Sequence, residues 1–233
     1  MLLNKLVNVN IPFLSRVLGK DPQAVRMFIS SIYSRKKTSI FRSIAFELAK
    51  DNFHNVKYKH ILGDNICKSA LNEIGNTINR ISWGARPNKL SKIESIKNSI
   101  IGNVISFNSV KVDLYLEHNG EIFLFLINTA EPNIGNFKDF KRTLLEWVGI
   151  TLSQNKEAKV NTLIAVPYNP YEPQPYQRWT MNGMLDLPNE VKVAEEFWNF
   201  LGGDGAYEDL LDCFELAGLE LKDEINNHFR QFI

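Results

Sequence analysis

An α/β fold is predicted, with a central β-sheet between helical ends, and three observations predict it. Apolar residues recur at helical spacing from Val25 to Ile101. The pattern switches to strand-like runs between Val110 and Pro167. Helical spacing then returns from Glu190 to Phe232.

Asp21-Pro22 reads as an N-cap followed by proline at the first helical position, and Val25, Phe28, Ile29 and Ile32 follow on one stripe. Arg35-Lys36-Lys37 breaks that stripe. A second helix is expected from about Thr38 to Asn52 on Phe41, Ile44, Ala45 and Leu48. A third is expected from about Asp64, with Ile66, Ala70, Leu71, Ile74, Ile78 and Ile81 on one face. After the turn Trp83-Gly84-Ala85-Arg86-Pro87-Asn88, a fourth from about Leu90 to Ile101 carries Glu94, so the first half reads as helical throughout.

Val110 to Leu116 reads as a strand with Asp113 inside it, and His118-Asn119-Gly120 as a hairpin turn. Glu121 to Asn128 is apolar on both faces, as expected of a central strand in a covered sheet. Glu131-Pro132-Asn133-Ile134-Gly135 stops it, and Asn136 caps a helix burying Phe137, Phe140, Leu144, Trp147 and Val148. Thr162 to Pro167 is a further buried strand, and Tyr168 to Trp179 a Tyr/Pro-rich loop. Helices are then expected at Glu190–Leu201, Tyr207–Ala217 and Leu221–Phe232. With no repeat or low-complexity linker, the chain reads as a single domain over 1–233: a helical part at 1–105, a core at 106–170, and a loop and helical part at 171–233.

Composition is that of a soluble globular chain, and no apolar run approaches the roughly 20 residues of a membrane span. No signal-peptide pattern opens the chain, and Cys67 and Cys213 read as reduced core thiols, so a cytoplasmic protein without membrane association is expected. The four histidines lack the Cys/His spacing of structural zinc. The net charge of +1 conceals an asymmetry: residues 1–111 hold 18 Lys/Arg against 6 Asp/Glu, and the remainder 9 against 20. A basic surface for a polyanion is one reading; mutual neutralisation on one domain is the other.

Metal sites that cleave phosphodiesters often use a hairpin, with an Asp on one strand and an acid two residues before a Lys on the next. Period two puts the second acid and the Lys on one face. Carboxylates suit Mg²⁺, which activates water and stabilises charge on phosphate, while the Lys positions or deprotonates that water. Asp113 stands where the first acid belongs, but the next strand offers Leu126 and Asn128.

The run Lys111 to Glu117, then Glu121 to Asn128, then Thr129-Ala130-Glu131-Pro132-Asn133-Ile134-Gly135-Asn136-Phe137-Lys138-Asp139-Phe140-Lys141-Arg142 through Trp147, resembles the TdeIII-like type II restriction endonucleases of the PD-(D/E)XK nuclease class. The likeness extends through Ile164–Tyr171, Arg178-Trp179-Thr180 and Phe197–Gly203, covering most of the chain from about residue 70. It implies a PD-(D/E)XK restriction-endonuclease-like core: a central mixed sheet flanked by helices, with helical N- and C-terminal segments. It further implies Mg²⁺-dependent cleavage of a short GGNCC-type palindrome in double-stranded DNA. A homodimer and a cognate DNA methyltransferase are implied with it.

The family pattern places an acid at Leu126 and a Lys at Asn128. Leucine cannot bind a metal, and asparagine is neither a cation nor a base near neutral pH. Either the motif is disabled, leaving a DNA-binding protein that does not cut, or the acid has migrated. Catalytic candidates are therefore Asp113, Asn128 and Glu131, with Asp113 and Glu94 as metal ligands. Glu146, on the following helix, is a further position for the migrated acid. Each also has a plainer reading: Glu131 as a solvated turn residue, Glu94 as a solvated helix residue, and Glu146 as the partner of Arg142. Candidate DNA contacts are Arg86 in its turn, a basic helix face of Lys138, Lys141 and Arg142, and Arg178 in the Tyr/Pro loop.

Overall fold

The computed structural model describes Phe13, Arg16 and residues 39–128, 136–176 and 183–224. The helix expected after Pro22, Glu131, Arg178 and most of the helix expected from Leu221 lie outside the described residues.

The described chain begins with α1 (Ser39–Ala49), whose buried Phe41, Ala45 and Ala49 recur every four residues. It then departs from the all-helical expectation. Residues Asn55–Cys67 form a strand, β1, and α2 starts only at Lys68, continuing to Ser82. Leu62, Ile66 and Cys67 point into the core from this strand. The strand passes Gly63-Asp64-Asn65 through two register irregularities. A side chain at Gly63 would run into the amide of Gln154, which donates to Leu62 O at 3.1 Å. The segment that resembles a helix start is thus an irregular strand that needs glycine for close approach.

Helix α3 (Lys89–Ser99) is capped by Asn88, whose Oδ1 accepts the Ser91 N–H at 2.8 Å. The hairpin follows: β2 (Val104–His118), longer than expected, and β3 (Glu121–Ile127), joined at Asn119-Gly120 with φ of 50° and 76°. Helix α4 (Asn136–Gln154) crosses over to β4 (Lys159–Val166), parallel to β3 as such a connection requires. The single helix expected over Glu190–Leu201 is three elements: α5 (Leu187–Glu190), the strand β5 (Val191–Val193) and α6 (Glu195–Gly202). Ala194, at φ 48°, breaks the path between strand and helix. Helix α7 (Ala206–Glu220) runs through Gly218.

The strands form one mixed sheet in chain order β1-β2-β3-β4-β5, antiparallel up to β3 and parallel from there. Helices α2, α3 and α4 pack on one another, with α4 also on β1 and β4. Helix α1 packs on α6, β1 and β2, and α6 packs on α7 and β5. Trp147 and Trp198 are fully buried, and the Trp198 indole N–H reaches Pro167 O at 2.7 Å.

Candidate functional site

The site lies where the β2–β3 ladder opens. Its register runs from His118↔Glu121 to Leu114↔Phe125, and one further step sets Asp113 opposite Leu126. There the Asp113 side chain takes over from the backbone: its Oδ2 accepts the Ile127 N–H at 2.9 Å. Its Oδ1 is ion-paired with Arg42 Nε of α1 at 3.0 Å. A terminal nitrogen of Arg42 also donates to Ile127 O at 3.3 Å, so Arg42, Asp113 and the Ile127 peptide form a closed set. Burial pushes the Asp113 carboxyl above the usual carboxylate range, against the pull of Arg42, the Ile127 N–H and Lys59.

Lys59 is placed by the other ladder. Tyr58 pairs with Leu114 and His60 with Val112, so Lys59 falls opposite Asp113. It is exposed, with φ 49°. Lys111, two residues before Asp113, is also exposed, and Lys57 lies over the Tyr115 ring at 4.7 Å. Asp113 is therefore paired with a cation from α1 and faces another across the β1–β2 ladder.

On β3, Leu126 is half-buried against the core, and the Asn128 N–H donates to Ala165 O at 2.9 Å. Glu94 is exposed on α3, where its carboxylate accepts from Asn98 at 3.1 Å. Among the described residues, no three His, Cys, Asp or Glu gather where they could hold a metal. Magnesium takes oxygen ligands, commonly one or two carboxylates. The described residues do not fit Mg²⁺, because Leu126 has no ligand atom and the sole Asp113 carboxylate is engaged on both oxygens.

The expected basic face of α4 requires correction. Lys138 is exposed and Arg142 half-buried, but Lys141 is fully buried, with Nζ at 2.6 and 2.8 Å from the two carboxylate oxygens of buried Glu190. It belongs to the interior because its position on α4 faces α5, and its charge is spent on Glu190 rather than offered to a phosphate. Glu146 is half-buried, and burial raises its carboxyl while Arg142, one helical turn earlier, opposes the shift. Arg86 is exposed in its turn, close in sequence to Trp83 with 86% exposure. Sequence reasoning missed Arg42 and Lys59. The alternation Val56-Lys57-Tyr58-Lys59-His60 carries a period-two signal for Lys59, but nothing local points from Arg42 to Asp113.

A mixed sheet of this order, flanked by helices, is consistent with a restriction-endonuclease-like fold, and the proteins to which the chain is similar define the class as type II restriction endonucleases. The chain belongs to the HinfI family of these enzymes, whose profile matches residues 3–218. It is 25% identical over 221 residues to the type II restriction enzyme HgiCII of Herpetosiphon aurantiacus, covering 92% of this chain and 80% of that protein. It is 25% identical over 166 residues to HgiBI of the same organism, covering 70% of this chain and 60% of that protein. Against MjaII of Methanocaldococcus jannaschii it is 28% identical over 185 residues, 71% of this chain and 47% of that protein. The chain thus spans less than two thirds of the length of HgiBI and MjaII. No solved structure matches it significantly. No described helix is long and apolar enough to cross a membrane.

Proposed function

We propose that this chain acts on double-stranded DNA as a type II restriction endonuclease of the HinfI family, with its hydrolytic centre at the Asp113 hairpin and a departed catalytic motif. The observation that supports the reading is the family match over 3–218, which spans the opened β2–β3 hairpin where Asp113 is paired with Arg42 and faces Lys59. The exposed Lys59, Lys111, Arg86 and Lys138 would hold phosphates and orient the duplex. The likeness of residues 111–147 to TdeIII-like enzymes favours the PD-(D/E)XK class, a GGNCC-type palindrome, a homodimer and a partner methyltransferase.

A second reading is favoured by a specific observation. Leu126 and Asn128 replace the acid and Lys, and Arg42 is paired with Asp113, so the chain would bind its site without cutting it. Fluorescence anisotropy on duplexes with and without GGNCC, together with digestion of supercoiled plasmid in Mg²⁺, tests both. Site-specific cutting lost in Asp113→Asn supports the first reading. Specific binding with an intact plasmid supports the second. Binding to neither duplex removes both.

A further inference from the structure

The misfit between this site and a divalent ion has a positive counterpart in Arg42. Arg42 lies against two oxygens: Asp113 Oδ1, and Ile127 O, the carbonyl of the peptide that joins Ile127 to Asn128. A carboxylate and a backbone carbonyl are the hard oxygen donors that magnesium or calcium accepts. The Arg42 side chain engages both, at 3.0 and 3.3 Å, while the other Asp113 oxygen holds the Ile127 N–H. The side chains of Arg42 and Asp113 are 27% and 18% exposed, so the pair is largely withdrawn from water. Arg42 is delivered by α1, whose Phe41, Ala45 and Ala49 are in the core, so the helix that carries the guanidinium is fixed by packing.

We propose that the Arg42 guanidinium is the resident cation of this site, seated on the oxygens a divalent ion would need, so that the chain binds DNA without a metal. The inference rests on the second of the two readings above, binding at the Asp113 hairpin without cutting. Arginine stays charged at every physiological pH and is weakly hydrated, so it fills a half-buried cation position permanently, whereas a metal exchanges with solvent. It offsets the Asp113 charge that would otherwise repel an approaching phosphate. Supplying the family's missing groups through Leu126→Glu and Asn128→Lys would therefore not be sufficient to admit a metal while Arg42 remains.

Manganese binding, followed by calorimetry and by paramagnetic broadening of nearby resonances, tests this without reference to cleavage. The wild type and the Leu126→Glu/Asn128→Lys protein are expected to take up Mn²⁺ at least about tenfold more weakly than the same double variant carrying Arg42→Ala. Arg42→Gln serves as a second replacement, and near-ultraviolet circular dichroism identifies the variants that are folded. Equal Mn²⁺ affinity with and without Arg42 overturns the proposal, as does Mn²⁺ binding by the wild type that Asp113→Asn abolishes. DNA affinity of the wild type is expected to agree within about twofold between EDTA and Ca²⁺, and a gain of about tenfold in Ca²⁺ also overturns it. Absence of DNA binding in both buffers would instead remove the function proposed above, leaving the Mn²⁺ result to stand by itself.

Discussion

Lys141 shows how a single residue changes meaning between sequence and structure. Spacing assigns it to a basic helix face with Lys138 and Arg142, yet its side chain is fully buried against Glu190. A buried charge left without its partner is expensive, whereas removing both charges is often neutral. Lys141→Met or Glu190→Gln is expected to lower stability by about 3–5 kcal/mol in urea unfolding, and Lys141→Met with Glu190→Met to recover most of it. Lys89 shares this interior: its backbone N–H bonds Asp186 at 2.8 Å and its Nζ donates to Asn189 O at 2.9 Å. Burial lowers its pKa from 10.5 to about 8, with Glu190 opposing the shift and Lys141 adding to it. Between those two pH values the unfolded chain holds a proton that the folded chain lacks, so this group makes stability rise with pH. Lys89→Met should flatten that rise, and an unchanged slope in pH-resolved urea melts would count against the assignment.

The β1–β2 ribbon carries what the element scale adds. β2 runs to 15 residues, but β3 pairs with it only from Leu114 onward, which leaves β1 and the first part of β2 as a two-stranded ribbon leading up to Asp113. Lys59 and Lys111 are exposed on it. If they hold phosphates, Lys59→Ala and Lys111→Ala each weaken DNA binding about equally across sequences and reduce the salt slope by about one. An unchanged slope would place the duplex elsewhere. The elements legible beforehand were those with one clean period: the strand ending in Leu-Ile-Asn, the Asn-Gly turn and the long α4. β1 was not legible because Gly63-Asp64-Asn65 imitates a helix boundary, and the stripe from Ile66 to Ile81 continues its pattern into α2. β5 is too short to have a period, and only its pairing with Ile164–Val166 makes it a strand.

Across the whole molecule, the charge asymmetry acquires a direction. The strands lie side by side in chain order, so the described residues 39–111, which are net basic, supply the β1 edge of the sheet and the net acidic residues after 111 the β5 edge. Exposed acids crowd α6 and α7, including Glu195, Glu196, Glu208 and Asp209, with Arg16 offsetting Asp212 and Glu215, and such a surface repels a polyanion. DNA approaching the β1–β2 edge and avoiding α7 is the arrangement this polarity favours. A palindromic site has two-fold symmetry, and a protein that reads it matches that symmetry with two chains. Sedimentation velocity is expected to show two chains per duplex; one chain per duplex would exclude the homodimer.

The sequence by itself determined the α/β class, the Asp113 hairpin, the crossover helix α4 and the kinship with type II restriction endonucleases. These depend on local period and on runs of residues that neighbours in the chain express together. Tertiary structure alone decided that Arg42 sits on Asp113, that Lys59 falls opposite it, and that Lys141 is spent on Glu190. Each joins residues from different elements, and an ion pair of that kind is set by how a helix docks on a sheet, which no local pattern of side chains encodes.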